Sequence, residues 1–268
     1  INNYWNPDKT FEKDIQIICD QGFGDHIQFI RYLPFLTSKT ENIYVLALEP
    51  LKGLFQKNYP SVKFISESEI NPDMQTIRIT DLAYALNMDF DNIPYADGYL
   101  SSDSIEIKSD KIKAGLCWEA GSAAIRTMIN RTINIKFLEP ILNLKEVQIY
   151  SFQVQDSLHG NEKYPQMINL AKNFNNFEDT AKALKAMDVV ITVDTALAHL
   201  AGALGVKTLL MLPYYSEWRW FNDIKKTPWY ESVEIIKQSI KDLYESDSFL
   251  IRANVHEQSI THRLAVYL

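Results

Sequence analysis

The amino-acid sequence predicts an α/β protein made of two doubly wound halves, each with a parallel sheet. Short apolar runs alternate with segments of helical spacing, and this alternation occurs on both sides of a turn-rich stretch at residues 87–110. The chain has 268 residues, of which 46% are apolar, a length that suits two domains. We therefore expect a first domain at 1–108, a second at 109–239 and a mostly helical tail at 240–268.

The first half begins with the apolar run Ile15–Cys19, which predicts a strand that ends in a glycine turn. Apolar side chains at helical spacing then predict a helix over His26–Leu36. The same reasoning predicts three further strands and one short helix: strands at Asn42–Leu48, Val62–Ile65 and Thr76–Ile79, and a helix at Leu51–Asn58. Turn-forming residues then predict a linker near residues 100–110.

The second half repeats the pattern. Its predicted strands are Ile112–Trp118, Val147–Phe152, Val189–Val193 and Thr208–Leu212, and its predicted helices are Ile135–Leu142, Asp179–Met187 and Ala196–Leu204. Open parallel sheets bind ligands beyond the carboxyl ends of their strands, and two such sheets face each other across a cleft. The loops at those ends are therefore the candidate binding sites.

Composition excludes several classes of protein. The net charge is -7 and the pI about 5.3, which is the wrong sign for a nucleic-acid partner. Cys19 and Cys117 each lie in an apolar run, so we expect no disulfide framework, no cysteine metal site and a cytoplasmic location. No stretch has the length of a membrane span or the pattern of a signal peptide. The first residue is Ile rather than Met, which suggests a segment of a longer chain.

The loop after the first strand reads Gly22-Phe23-Gly24-Asp25-His26. Two glycines permit a tight turn and a close approach of backbone N–H groups to a ligand. Asp25 is then a candidate general base, although it could equally serve as the N-cap of the helix that begins at His26. The loop lacks the third glycine of a dinucleotide-binding fingerprint.

A long polar loop runs from Glu119 to Arg131 after the strand at Ile112–Trp118. Its glycine, its hydroxyl groups and its two arginines suit the capture of a diphosphate, with Arg126 or Arg131 supplying forked donors. The alternative is a solvated loop whose arginines pair with nothing.

The stretch from Val193 to Gly205 takes a buried strand into a helix of small residues, which we expect to be capped by Asp194. The first N–H groups of that helix form a ready anion site. Asp194 would bind hydroxyl groups or orient donors, unless it is only a cap. His199, one turn into the helix, is more often a core residue than a catalyst.

An aromatic loop follows the last predicted strand, with the sequence Pro-Tyr-Tyr-Ser-Glu-Trp-Arg-Trp-Phe at residues 213–221. Such residues suit stacking on a base or sugar, or else form a hydrophobic plug between domains. Gln153 could read the edge of an adenine or uracil. The sequence contains no metal-ligand spacing, no Gly-x-Ser-x-Gly and no Walker loop, which leaves positioning and acid–base chemistry on a nucleotide-linked substrate.

The motifs of these loops, taken in order, resemble glycosyltransferase family 9, the ADP-heptose:lipopolysaccharide heptosyltransferases. The closer likeness is to the branch found as the C-terminal domain of bacterial tetratricopeptide-repeat proteins. The resemblance covers nearly residues 13–238 and is carried by separated motifs: Gln21–Asp25, Arg31–Pro34, Gly115–Trp118, Asn130–Thr132, Ser151–Gln153, Asp194–Leu204, Trp218–Trp220 and Pro228–Tyr230.

The resemblance implies a GT-B fold, in which two Rossmann-like domains face a cleft, the first for the acceptor and the second for the nucleotide sugar. It implies that Asp25 is the catalytic base, that no metal or other cofactor is required, and that Arg131, Asp194, Thr195 and His199 contact the donor. With the residues proposed from the loops themselves, the predicted donor-binding set has ten members: Gly24, Trp118, Arg126, Arg131, Gln153, Asp194, Thr195, Ala196, His199 and Trp218. Arg131 stands where the heptosyltransferases usually carry Lys, and Ala196 replaces a glycine, so heptose is not assumed as the sugar.

We therefore expect a metal-independent inverting glycosyltransferase that uses a nucleotide diphosphate sugar as substrate and a glycan, lipid-linked or protein acceptor. Two alternatives stay open: a non-catalytic module that binds nucleotide sugars, and a GT-B sugar-nucleotide epimerase. We also expect peripheral association with a membrane and a repeat domain upstream.

Overall fold

A computed structural model describes residues 1–121, 131–157, 159–213, 216–221 and 225–236. These residues confirm the predicted α/β class, because they form two sheets whose strands are mainly parallel. The helical tail predicted at 240–268 lies outside the described residues.

The first sheet belongs to the N-terminal lobe, residues 1–100. Its four strands are all parallel and are ordered β3-β2-β1-β4. Short 3-10 segments join several of its elements, which in chain order are β1 (Asp14–Ile18), α1 (Phe23–Phe29), β2 (Asn42–Leu46), α2 (Glu49–Asn58), β3 (Lys63–Ile65), β4 (Gln75–Arg78) and α3 (Leu82–Ala85).

The second sheet belongs to the C-terminal lobe, residues 101–236. Its seven strands are ordered β10-β11-β9-β8-β5-β6-β7, and only β10 is antiparallel to its neighbour. The elements are β5 (Ile112–Cys117), α4 (Glu139–Leu142), β6 (Val147–Ser151), α5 (Gly160–Lys163), β7 (Ile168–Asn169), α6 (Phe177–Lys185), β8 (Val189–Val193), α7 (Ala196–Ala203), β9 (Thr208–Met211), β10 (Lys226–Thr227) and β11 (Tyr230–Ile235).

The helix predicted over His26–Leu36 differs from the structure in its start and in its regularity. Helix α1 begins at Phe23, because the extended residue Gly22 serves as its N-cap. From Ile30 the chain continues as a 3-10 helix to Phe35, and this segment contains Pro34, which has no N–H for a regular helical hydrogen bond.

The C-terminal lobe holds a strand that the sequence did not predict. The exposed or half-buried residues of β11 include Glu231 and Glu234. These charged residues interrupt the apolar run by which a strand is predicted from the sequence. The strand nevertheless pairs in parallel with β9, and on its other side it pairs with the edge strand β10. By contrast, β8 has the predicted bounds, since all five of its residues are buried between layers.

The two lobes are in direct contact through their helices. Helix α1 packs on α7, and α2 packs on α6, so that helices fill the space between the two sheets. One hydrophobic cluster includes Ile17 of β1 and Val190 of β8, and therefore joins both sheets. A second cluster covers the other face of the seven-stranded sheet. The carboxyl ends of β1 and β8 thus meet at the interface between the lobes.

Candidate functional site

Asp25 lies in the first turn of α1, directly after β1. One carboxylate oxygen, Oδ2, accepts a hydrogen bond from the backbone N–H of Gly22 at 3.1 Å. The other, Oδ1, accepts one from Nη2 of Arg219 at 2.9 Å, across the contact between the lobes. Asp25 therefore does not occupy the N-cap position, and its carboxylate faces the C-terminal lobe.

Gly24 brings the first loop against α7. A Cβ atom built on Gly24 would lie 2.7 Å from Cδ2 of the His199 ring, too close for any side chain. Only glycine therefore permits this approach of the two helices. The loop after β1 and the helix after β8, which were predicted to face a shared cleft, are therefore in direct contact.

The helix α7 begins at Ala196, and its N-cap is Thr195 rather than Asp194. The Thr195 hydroxyl oxygen accepts the N–H of Leu197 at 3.3 Å. The sequence-based expectation that Asp194 caps this helix is therefore wrong. The structure instead gives the Asp194 carboxylate an ion pair: its Oδ2 lies 3.2 Å from Nη1 of Arg131. Asp194 is buried and Arg131 mostly so, which strengthens the pair relative to one in water.

His199 is buried and lies between aromatic rings. Its Nδ1 is 2.9 Å from the Tyr230 hydroxyl, and its ring stacks on Trp220 at 5.1 Å. Burial lowers the pKa of His199 well below its ordinary value, and nearby positive charges lower it further: those of Arg219, Arg31 and Arg131. The imidazole is therefore neutral at pH 7 and does not supply a cation to the site.

The aromatic loop divides into an exposed part and a buried part. Trp218 is 56% exposed, and the Arg219 guanidinium lies 5.5 Å from its ring centre. Trp220 is fully buried against His199. Trp218 therefore presents an exposed ring surface, and its stacking on a ligand stays a prediction, whereas Trp220 belongs to the hydrophobic cluster that joins the lobes.

Two residues that were predicted to contact the donor, Trp118 and Gln153, have buried side chains that contact other parts of the protein. Trp118 has no exposed surface and belongs to the core beneath the sheet. Gln153 is also buried; its Oε1 accepts the N–H groups of Trp118 and Glu119 at 3.1 and 2.9 Å, and its Nε2 donates to the Glu119 carbonyl at 3.1 Å. In this arrangement both residues hold the start of the loop after β5 in place rather than facing a ligand.

Two of the predicted site residues remain, Ala196 and Arg126. Ala196 is the first residue of α7, beside Thr195. Arg126 lies outside the described residues, as does most of its loop. Arg219 of the aromatic loop was not predicted as a site residue, because nothing in the sequence pairs it with Asp25, 194 positions earlier.

Other chemical features of the described part of the chain are few. No group of His, Cys, Asp or Glu side chains there has the arrangement of a metal site. Cys19 and Cys117 are buried thiols, and burial raises their pKa to about 12 and about 11 respectively. None of the described helices combines the length and the apolar character that crossing a membrane requires.

Comparison with known proteins gives a family match in the C-terminal lobe. Residues 155–245 match the family model "Glycosyltransferase family 9 (heptosyltransferase)". The curated protein FlbA of Caulobacter vibrioides is 25% identical, in an alignment that covers 85% of this chain and 44% of that protein. The chain thus spans less than half the length of this relative.

Solved structures share the fold of the whole chain. TibC, an iron-containing dodecameric glycosyltransferase of enterotoxigenic E. coli, has a TM-score of 0.57 at 13% identity, with coverage of 82% of this chain and 65% of TibC. The E. coli ADP-heptose LPS heptosyltransferase II has a TM-score of 0.53 at 14% identity, with coverage of 94% and 99%.

A family 9 glycosyltransferase of Veillonella parvula has a TM-score of 0.57 at 12% identity, and the match covers 92% of this chain and 93% of that one. At such low identities the structural likeness shows the fold alone. The match to the family model is a likeness in amino-acid sequence, and it lies mostly in the C-terminal lobe. The sequence of the C-terminal lobe thus resembles glycosyltransferase family 9, and the chain shares the GT-B fold of these solved structures.

Proposed function

We propose that the protein is an inverting glycosyltransferase that moves a sugar from a nucleoside diphosphate sugar to a glycan, lipid-linked or protein acceptor in the cytoplasm, without a required metal. The observation that carries this proposal is the contact between Gly24 and His199. It joins the loop that holds Asp25 to helix α7, which begins next to Asp194, and Asp194 is in turn paired with Arg131. A candidate base and a candidate diphosphate site therefore lie on the two sides of one interface.

In the proposed reaction, Asp25 takes the proton of an acceptor hydroxyl while the hydroxyl oxygen attacks the anomeric carbon of the donor. The bond between that carbon and the diphosphate oxygen breaks, and the nucleoside diphosphate leaves with the electron pair. The negative charge that develops on it needs a positive partner. Arg131 and the first N–H groups of α7, next to Thr195, are suited to this task.

The donor class follows from the same features. TibC has been solved in complex with ADP-D-β-D-heptose, and we propose a nucleoside diphosphate sugar of this class for the present chain. The exposed ring of Trp218 offers a stacking surface for the base or sugar. The identity of the sugar stays open, because Arg131 and Ala196 differ from the residues usual in the heptosyltransferases.

A second candidate function is a module that binds nucleotide sugars without transferring them. The observation in its favour is that both Asp25 carboxylate oxygens already accept hydrogen bonds from the protein, one from Gly22 and one from Arg219. A carboxylate in that state is engaged as a structural link. Donor binding without consumption would then be the expected behaviour.

Replacement of Asp25 by Asn tests the proposal. We expect the turnover of a nucleotide sugar with an acceptor panel to fall by roughly 10³-fold, because the base is lost, while the calorimetric Kd for ADP-heptose or another bound donor stays within about twofold. Asp20→Asn is the matched control, since Asp20 is an exposed carboxylate in the same loop. Arg131→Met should instead weaken donor binding by about tenfold.

The outcomes separate the candidates. Full transfer by Asp25→Asn would contradict the role of Asp25. Tight donor binding by the wild type, with no release of nucleoside diphosphate over the acceptor panel, would favour the binding module. Conversion of the donor sugar with no acceptor present would indicate an epimerase.

A further inference from the structure

Arg219 reaches from the C-terminal lobe into the first turn of α1. Its Nη2 donates to Oδ1 of Asp25 at 2.9 Å, and its Nη1 lies 3.2 Å from Oε1 of Gln28, which is buried. Only 13% of the Arg219 side chain and 18% of the Asp25 side chain are exposed. In such partly dry surroundings a charge-assisted hydrogen bond is stronger and more directional than at the surface.

Arg219 is itself held from several sides. Its carbonyl oxygen accepts a hydrogen bond from Nε1 of Trp229 at 2.8 Å, and its guanidinium lies over the Trp218 ring. These contacts fix the backbone and the plane of the guanidinium before it meets Asp25. With Nη1 on Gln28 and Nη2 on Asp25, the planar fork of the guanidinium fixes the position of Oδ1 of Asp25.

The Asp25 carboxylate is therefore oriented by both lobes at once. The N-terminal lobe supplies the N–H of Gly22 to Oδ2, and the C-terminal lobe supplies the guanidinium to Oδ1. If the lobes separated, the first hydrogen bond would persist, since both partners belong to one turn. The second would be lost. The orientation of Asp25 thus depends on contact between the lobes.

We propose that Arg219 is a positioning residue for Asp25: it directs the carboxylate at the acceptor only when the two lobes are together. This inference rests on the proposed role of Asp25 as base. Among the described residues, Oδ2 accepts one hydrogen bond, from the N–H of Gly22 at 3.1 Å, and this oxygen is the one suited to take the acceptor proton. A misdirected base costs rate without any loss of substrate binding.

The kinetic test compares Arg219→Met, Arg219→Lys and the wild type, with Arg78→Met as a control that removes an exposed arginine. For Arg219→Met we expect kcat to fall by about 10²-fold, with the KM and the Kd of the donor within about twofold. Arg219→Lys should recover about a tenth of wild-type kcat, because lysine restores the charge without the fork. Methylguanidinium in the buffer should partly restore Arg219→Ala.

The opposite split would overturn the inference. If Arg219→Met raised the donor Kd by tenfold or more and left kcat unchanged, Arg219 would be a donor ligand. If kcat fell but neither lysine nor methylguanidinium restored any of it, the effect would be structural and the positioning role would be wrong. In both cases the result for Asp25→Asn would be unaffected, and that result would still decide on the proposed function.

A second measurement needs no catalytic activity. In a double-mutant cycle on urea unfolding with Asp25→Asn and Arg219→Met, we expect the two changes to be coupled by about tenfold in the unfolding constant. A coupling factor near one would show that the pair does not form, and would overturn the inference even if no acceptor had been found. If the two changes were coupled but the wild type transferred no sugar, the pair would be a structural link between the lobes and would have no catalytic role.

Discussion

Two arginines join the lobes of this protein, and they do so in opposite ways. Arg31, from the N-terminal lobe, is fully buried and donates to the carbonyl oxygens of Gln28 and Trp229, both at 2.9 Å. Its guanidinium also lies over the Tyr99 and Tyr230 rings, at 4.4 and 4.9 Å from their centres. Arg219, from the C-terminal lobe, binds a carboxylate and keeps some contact with water.

The difference indicates two kinds of link. No carboxylate of the described residues forms an ion pair with Arg31, so its charge is stabilised by carbonyl dipoles and by aromatic faces that cannot move away. Arg219 and Asp25 form an ion pair, which a ligand or a proton could break by binding to one of the two side chains. We therefore assign stability to the contact around Arg31 and chemistry to the contact around Arg219.

The largest expected effect on stability is that of Arg31→Met. This change leaves buried carbonyl oxygens without a donor at the interface, so we expect the free energy of unfolding to fall by about 3 kcal/mol. For Arg219→Met we expect a smaller loss of about 1.5 kcal/mol, since 13% of its side chain and 18% of that of Asp25 stay in contact with water. Urea unfolding followed by tryptophan fluorescence measures both. Equal losses for the two variants would show that the two arginines do not differ in kind.

The fold could be predicted from the sequence where local patterns decide the structure. The five apolar residues of Val189–Val193 form a strand in almost any α/β protein, and the structure has β8 with those bounds. The helix after β1 depended on a detail that apolar spacing does not contain: an extended glycine at Gly22 begins it early, and Pro34 follows a change to a 3-10 helix.

The site could be predicted only in part. Asp25 and Asp194 were found because each follows a strand end, and the structure brings their loops together through Gly24 and His199. The partner of Asp25 could not be found, because the pairing with Arg219 depends on how the lobes pack. The order of motifs along the chain contains no information on that packing.

His199 is buried, and the charges of both Arg31 and Arg219 contribute to lowering its pKa. Its folded pKa is well below the unfolded value, so below pH 6.5 the unfolded chain binds a proton that the folded chain does not. His199 therefore lowers the free energy of unfolding below pH 6.5 and does not lower it above that pH, so the folded protein loses stability as the pH falls. Between pH 7.5 and 5.5 we expect a loss on the order of 1 kcal/mol from this residue.

The variant His199→Asn should lower stability at pH 7.5 but should reduce the pH dependence by about that amount. His159→Asn is the matched control, because His159 is exposed and its φ of 53° is a conformation that asparagine tolerates. Urea unfolding at both pH values measures the effect. An unchanged pH dependence in His199→Asn would mean that His199 accepts a proton in the folded protein.

The smallest effect is expected at a third link between the lobes, the ion pair of Lys57 in α2 with Glu178 in α6. Lys57 is 58% exposed, and Glu178 keeps a second partner, Lys182, at 2.9 Å. Hydrogen bonds from both lysines lower the pKa of Glu178, but water screens the pair. We expect Lys57→Met to change the free energy of unfolding by less than about 0.5 kcal/mol, and by nothing measurable at about 1 M salt. A loss comparable to that of Arg31→Met would place the main contact between the lobes at the rim, and the assignment of stability to Arg31 would then be wrong.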